Sequence, residues 1–178
     1  MVKDAINSIF RFRKKRSAPA YREVSTPPPC RIILTESAVN AMRSCMATEI
    51  DLGHEGIAYL LGLTNGNSTV IVGAIRPESH TTLGSFSVSS VAMARVVRAA
   101  NNFGLQVAGQ VHTHPHTAFH SDGDDEGARI AYDGYVSIVI PNYGRDLPSF
   151  RGAAVYFYRS NNFSQLGSKS LKIIDGVF

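Results

Sequence analysis

Apolar positions along the chain alternate between a strand-like and a helix-like period. Residues 32–34 read as a short strand or lead-in, and Thr35 predicts an N-cap for a helix whose Val39, Met42 and Met46 share one face. Gly53 stands just past its end. Apolar runs at 57–63 and 70–75 predict two strands, joined by the turn-forming Asn65-Gly66-Asn67 into a hairpin. After a polar loop containing His80 and Gly84, Ser90 predicts the cap of a second helix. Met93, Val96, Val97, Ala100 and Phe103 recur there at helical spacing, a core stripe that Gly104 stops. Further strands at 106–113, 135–140 and 153–158 surround a third helix at about 123–132. No repeat is visible, and elements in this order imply an α/β domain with one sheet covered by helices.

The first thirty residues are of another kind. Pro19 and Pro27-Pro28-Pro29 make an extended linker, because proline fixes φ and donates no backbone hydrogen bond. This places a tail and linker at 1–30 and the folded domain at 31–178. A chain of 178 residues, 44% hydrophobic, is enough for one compact core. Its longest apolar stretches, such as 56–63 and 136–140, fall far below the roughly 18 residues of a membrane-spanning helix.

Charge sharpens the division. Residues 1–22 hold seven Lys/Arg against one acid, Asp4, so they carry +6 of a total of +4 and leave −2 on the rest. The high isoelectric point thus belongs to the tail and gives no reason to expect a nucleic-acid partner for the body. Val2, Ile6, Ile9 and Phe10 fall on one side of a helical wheel ahead of Arg13-Lys14-Lys15-Arg16, a pattern suited to an acidic membrane surface or partner. The plainer reading is a frayed, solubilising tail. Its h-region is too short for a secretory signal and no small-residue cleavage site is evident, so none is expected. Cys30 and Cys45 form no paired framework, so free thiols and a cytoplasmic location are expected.

Chemistry concentrates in Val111-His112-Thr113-His114-Pro115 and the segment 116–125. On a strand, His112 and His114 point the same way and Thr113 the other, so two imidazoles can reach one ion. Pro115 ends the strand, and Ser121 can open a helix that brings Asp124 back as a third, oxygen ligand. Two His and one carboxylate, with a position left for water, suit catalytic Zn2+. A base is still needed. Glu55 is the candidate, at the mouth of the apolar strand that follows it. Each residue also has a plainer reading: strand histidines satisfied by hydrogen bonds, Ser121 as a helix cap, Glu55 as a surface carboxylate beside His54. His116 and His120 lie in the connecting loop, where either could approach the zinc or the substrate, although loop histidines are usually solvated.

Glu55 with Ala58, Leu60 and Gly62, then His112-Thr113-His114-Pro115, then Ser121-Asp122-Gly123-Asp124, resembles the signature of JAMM/MPN+ (JAB-domain) zinc metalloproteases, here in a compact prokaryotic form. The resemblance spans roughly residues 31–160. It implies a curved mixed β-sheet flanked by helices. It further implies His112, His114 and Asp124 as zinc ligands, Glu55 as general acid/base and Ser121 as a stabiliser of the oxyanion. Six residues separate His114 from Ser121, where the family usually has seven, which leaves Asp125 as an alternative to Asp124.

Such proteins hydrolyse peptide or isopeptide bonds at the C-terminus of ubiquitin or ubiquitin-like proteins. The expected partners are therefore a ubiquitin-like protein or its conjugates, and activating and conjugating enzymes of the same pathway. Segments 76–89 and 141–152 are expected as walls of a groove for the extended substrate tail. The alternatives are processing of a sulfur-carrier protein, a non-catalytic MPN scaffold that only binds partners, and a metal-dependent hydrolase of another bond such as a phosphodiester. The intact Glu55 argues against the scaffold, and the acidic body against the phosphodiesterase.

Overall fold

The computed structural model of the protein describes residues 31–65, 67–121, 130 and 132–175. The element order is β1 (Arg31–Thr35), α1 (Glu36–Cys45), α2 (Ala47–Leu52), β2 (Ile57–Thr64), β3 (Ser68–Ile75), β4 (Ser79–Thr81), β5 (Phe86–Val88), α3 (Ser90–Asn102), β6 (Gln106–Thr113), β7 (Val136–Ile140), β8 (Ala154–Arg159), β9 (Asn162–Gln165) and β10 (Leu171–Ile174). Eight strands form one sheet in the order β10-β1-β3-β2-β6-β7-β8-β9, and β4-β5 form a separate hairpin. The large sheet is mixed: β1 runs parallel to β10 and β3, and β6 parallel to β7, while the other neighbours are antiparallel.

Alternation along the strands sends side chains to two cores. Ala58, Leu60, Val111, Ile138 and Ile140 pack with Val39, Met42 and Met46 from α1 and its end. Ile57, Tyr59, Leu61, Val139 and Tyr156 pack with Met93, Val96 and Ala100 of α3 on the other face. Met42 and Met46 are fully buried, a stabilisation of roughly 1.5–3 kcal/mol each. Thr35 caps α1 by accepting the Ala38 N–H at 3.2 Å. The single helix expected there is broken at Met46, and the second segment ends at Gly53 in the left-handed region (φ 65). The second cap falls one residue earlier than expected, on Ser89, whose hydroxyl accepts from Ala92 N–H.

Two register shifts bend the middle of the sheet. Leu60 and Leu61 pair with Gly109 and Val107, so Ala108 is an extra residue in β6. Leu61 and Gly62 pair with Gly73 and Ile71, so Val72 is an extra residue in β3. Both bulges sit against the same short stretch of β2, and a bulge increases local twist and bend. The one in β6 has a further consequence: it resets the alternation so that Gln110, His112 and His114 share the face of α3. At Gly109 the strands approach so closely that a Cβ would lie 2.4 Å from the Val136 carbonyl oxygen, which excludes any larger residue without a backbone shift. The third predicted helix, at 123–132, lies mostly outside the described residues.

Candidate active site

The site lies where the β2/β6 pair ends. Ile57 faces His112 in an antiparallel register, and the pairing continues past the strand ends through Gly56 and Thr113. Thr113 N–H donates to the Gly56 carbonyl at 3.0 Å, and Gly56 N–H donates to Thr113 Oγ1 at 2.8 Å. One step further the same register sets Glu55 opposite His114. With a period of two, Glu55, Ile57, His112 and His114 share the sheet face. Gly56 and Thr113, 57 positions apart in sequence, thus meet by register, and their neighbours Glu55 and His114 with them.

His112 is fully buried, and His114 and Glu55 are 6% and 7% exposed. The two imidazole centroids are 5.1 Å apart. Phe86, from β5, lies 5.3 Å from the His112 ring, and Phe119 meets His114 edge-on at 4.9 Å. A cavity of about 480 Å³ opens here, with Glu55, His114 and Ser121 in its wall beside Phe86, Pro115 and Phe119. Carboxylate, imidazole and hydroxyl therefore converge on one space framed by apolar rings, the usual composition of a site that orients a substrate by a few polar groups.

The donor set fits a zinc ion. Two buried imidazoles on one sheet face, beside a carboxylate and with no thiolate among the cavity's lining, are the donor types of an open nitrogen/oxygen site. Among the described residues no group of three or more His, Cys, Asp or Glu is placed to hold a metal. Asp124, the expected third ligand, and its alternative Asp125 lie outside those residues.

His120 differs from expectation. It is not a solvated loop residue but 5% exposed, with Nε2 3.0 Å from Ser137 Oγ and its ring 4.7 Å from those of Tyr156 and Phe163. Its backbone N–H donates to the Tyr156 hydroxyl at 3.1 Å. These contacts tie the loop to β7 and β8 immediately before Ser121. His116 is exposed and lines the cavity. The groove walls also differ in part. Within 76–89 the wall is the β4-β5 hairpin rather than a loop, contributing Gly84, Ser85 and Phe86. The segment 141–152 lines no part of the cavity; Pro115, His116, Thr117, Phe119 and Ser121 do so instead.

Behind that wall, Asn142, Tyr143 and Gly144 all have positive φ, at 55°, 56° and 76°. For a non-glycine residue this costs roughly 1–2 kcal/mol, so two in succession need a strong local reason. Three contacts hold the turn: Tyr143 N–H to the His114 carbonyl at 2.8 Å, Gly144 N–H to Pro141 at 3.0 Å, and the Tyr143 hydroxyl to the Leu83 carbonyl at 2.9 Å.

A mixed, bulged sheet between helices, with a buried His-x-His at the end of one strand and a carboxylate across from it, defines a JAB-type domain. The family of prokaryotic homologs of the JAB domain matches residues 39–151, and the chain belongs to it. It is similar to a probable metalloprotease, y4jG, of Sinorhizobium fredii (strain NBRC 101917 / NGR234), 28% identical over 129 residues that cover 70% of this chain and 80% of that one. The solution structure of protein DSY2949 from Desulfitobacterium hafniense shares the fold: TM-score 0.57, 17% identity, covering 82% of this chain and 94% of that one. No helix among the described residues is long and apolar enough to cross a membrane.

Proposed function

We propose that this protein is a zinc-dependent peptidase of the JAMM type that cleaves after the C-terminus of a ubiquitin-like protein, in deconjugation or precursor processing. The supporting observation is the meeting of Glu55, His114 and Ser121 in one cavity, with His112 buried beside them. The similarity to a probable metalloprotease agrees with it.

In this reading His112, His114 and Asp124 hold the zinc. When bound, the ion supplies Lewis acidity, polarising the scissile carbonyl and lowering the pKa of a water towards about 7. Glu55 takes the proton of the attacking water on its carboxylate and returns it to the leaving nitrogen, so that the amine departs neutral. The near-burial of Glu55 keeps competing water from that proton. Ser121 donates its hydroxyl to the oxyanion of the tetrahedral intermediate. Phe86 and Phe119 narrow the approach, which suits an extended tail of small residues better than a folded chain. The cytoplasm, where ubiquitin-like conjugates and their activating and conjugating enzymes reside, is the proposed setting.

The test is metal analysis. The purified protein is expected to hold about one zinc per chain, and His112→Ala or His114→Ala to lose it. Full zinc retention in the double variant overturns the ligand assignment.

A further inference from the structure

Two consecutive carbonyls in the turn of the β4-β5 hairpin are held by opposite sides of the active site. Thr82 O accepts the backbone N–H of Glu55 at 2.8 Å, and Leu83 O accepts the hydroxyl of Tyr143 at 2.9 Å. Tyr143 in turn donates its backbone N–H to the His114 carbonyl at 2.8 Å, and His114 N–H donates to Ile140. The contacts close a ring: Glu55, the hairpin turn, Tyr143, His114, and back to Glu55 through the Gly56–Thr113 hydrogen bonds. Two members of this ring, Glu55 and His114, line the cavity together with the hairpin residues that follow the two carbonyls, Gly84, Ser85 and Phe86.

We infer that Tyr143 is a positioning residue, a bracket that fixes the β4-β5 hairpin over the site at a set distance from His114. The inference rests on the peptidase reading for its effect on substrate, but not for its mechanics. The backbone supplies an independent argument. Tyr143 occupies a left-handed conformation that glycine adopts without steric cost, between two residues that are also left-handed. A turn needed only to reverse the chain would be served better by glycine at that position. Tyrosine there, with its backbone committed to His114 and its hydroxyl to Leu83, makes sense where the side chain's reach is what the turn is for. The link at Leu83 is also the ring's weakest point, being a neutral hydrogen bond exposed to water. Arg145 lies 5.7 Å from the Tyr143 ring centroid and steadies its orientation. Tyr143 makes no contact with the reacting atoms in this scheme. It acts on substrate through the hairpin.

Two variants separate bracket from scaffold. Tyr143→Phe removes only the hydroxyl, and Tyr143→Gly also relieves the left-handed backbone. In the full chain, amide hydrogen exchange across residues 79–88 is expected to quicken about fivefold in both, the scale of one lost neutral hydrogen bond, with β2 and β6 unchanged. With zinc-loaded protein and a ubiquitin-like C-terminal fusion, KM should rise by about fivefold while kcat stays within roughly twofold, because substrate placement is loosened and the chemistry is untouched. The thermal midpoint of Tyr143→Gly should not fall, since the glycine removes strain as the hydrogen bond is lost. Unchanged exchange at 79–88 in both variants overturns the bracket. So does faster exchange with an unchanged KM, which would make the hairpin irrelevant to substrate. A wild-type protein that cleaves no such fusion sinks the peptidase reading instead, and the exchange comparison still decides whether Tyr143 holds the hairpin.

Discussion

Thr113→Val tests whether register across the β2/β6 end is what delivers Glu55. Thr113 is fully buried, and its Oγ1 accepts the Gly56 N–H at 2.8 Å. Valine keeps the β-branched shape and the methyl that faces Gly144, so the strand and that contact survive. The acceptor is lost, and the Gly56 N–H is left buried with a methyl group where the oxygen was. An unsatisfied buried donor costs about 1–3 kcal/mol, and the larger carbon needs several tenths of an ångström more room than 2.8 Å allows, which adds to that figure. For a domain of this size the thermal midpoint should drop by roughly 3–10 °C. Urea unfolding is the assay: the midpoint should fall with an unchanged slope, because the surface exposed on unfolding is the same. Relief of the crowding would push Gly56 away from β6 and carry Glu55 with it, so kcat should fall even where the variant is fully folded. An unaltered urea midpoint together with unaltered kcat would refute the reasoning that this hydrogen bond fixes the general base.

The two ion pairs among the described residues should behave differently. Arg76 meets Glu49, whose side chain is 6% exposed, at 2.5 Å, whereas Arg95 and Glu78 are 65% and 78% exposed. Arg76→Met should therefore cost about 1–3 kcal/mol in urea unfolding by stranding a buried carboxylate, and Arg95→Met less than about 0.5 kcal/mol; equal effects would contradict the burial argument. Alkaline titration offers a second check. Burial pushes the Tyr135 phenol well above its ordinary 10.0, with Tyr59 and Tyr132 adding to the effect, and burial raises Tyr132 as well. Since folding favours their protonated forms, the stability they contribute is complete below the ordinary tyrosine range and is lost as pH rises from that range through their raised folded values. Phenolate absorbance should show these two ionising late, with or after unfolding, and early reversible ionisation of all seven tyrosines would contradict it.

How far the sequence was readable follows from how local each signal is. Thr35 as a cap, Gly53 as a stop and the β2-β3 pairing depend on neighbouring residues, and the structure has each of them. The break at Met46 was hidden because no glycine or proline marks it, and Ile50 of α2 packs against the same cluster as Val39 and Met42 of α1. The β4-β5 hairpin was hidden because its strands are only three residues long and β4 is wholly polar, too short for alternation to register. The bulges opposite Leu60–Gly62 left no pattern of their own, although the one in β6 decides which face His112 and His114 use. Near the site, the spacing of His112 and His114 spoke for itself, but the burial of His120 did not. Its partners Ser137 and Tyr156 come from strands distant in sequence, and a histidine in a polar loop looks the same whether solvated or buried. Tyr143 was equally silent, because tyrosine gives no sequence sign of a left-handed backbone.

Whether Glu55 moves the proton in the proposed zinc-dependent hydrolysis is decided by Glu55→Gln. Removing a ligand can lose the metal and with it the local structure, so inactivity would have two causes. Glutamine keeps the volume of Glu55 and its place beside His114 but cannot accept the proton. Turnover of a ubiquitin-like C-terminal fusion should be compared between wild type and variant at equal zinc content and equal thermal midpoint. Wild-type enzyme should be active, and the variant should bind zinc and partner yet hydrolyse about 10²-fold or more slowly, the scale of a lost general base. Equal turnover by the two proteins would remove Glu55 from the mechanism, and no turnover by either on any such fusion would mean that the domain binds its partner without cutting it.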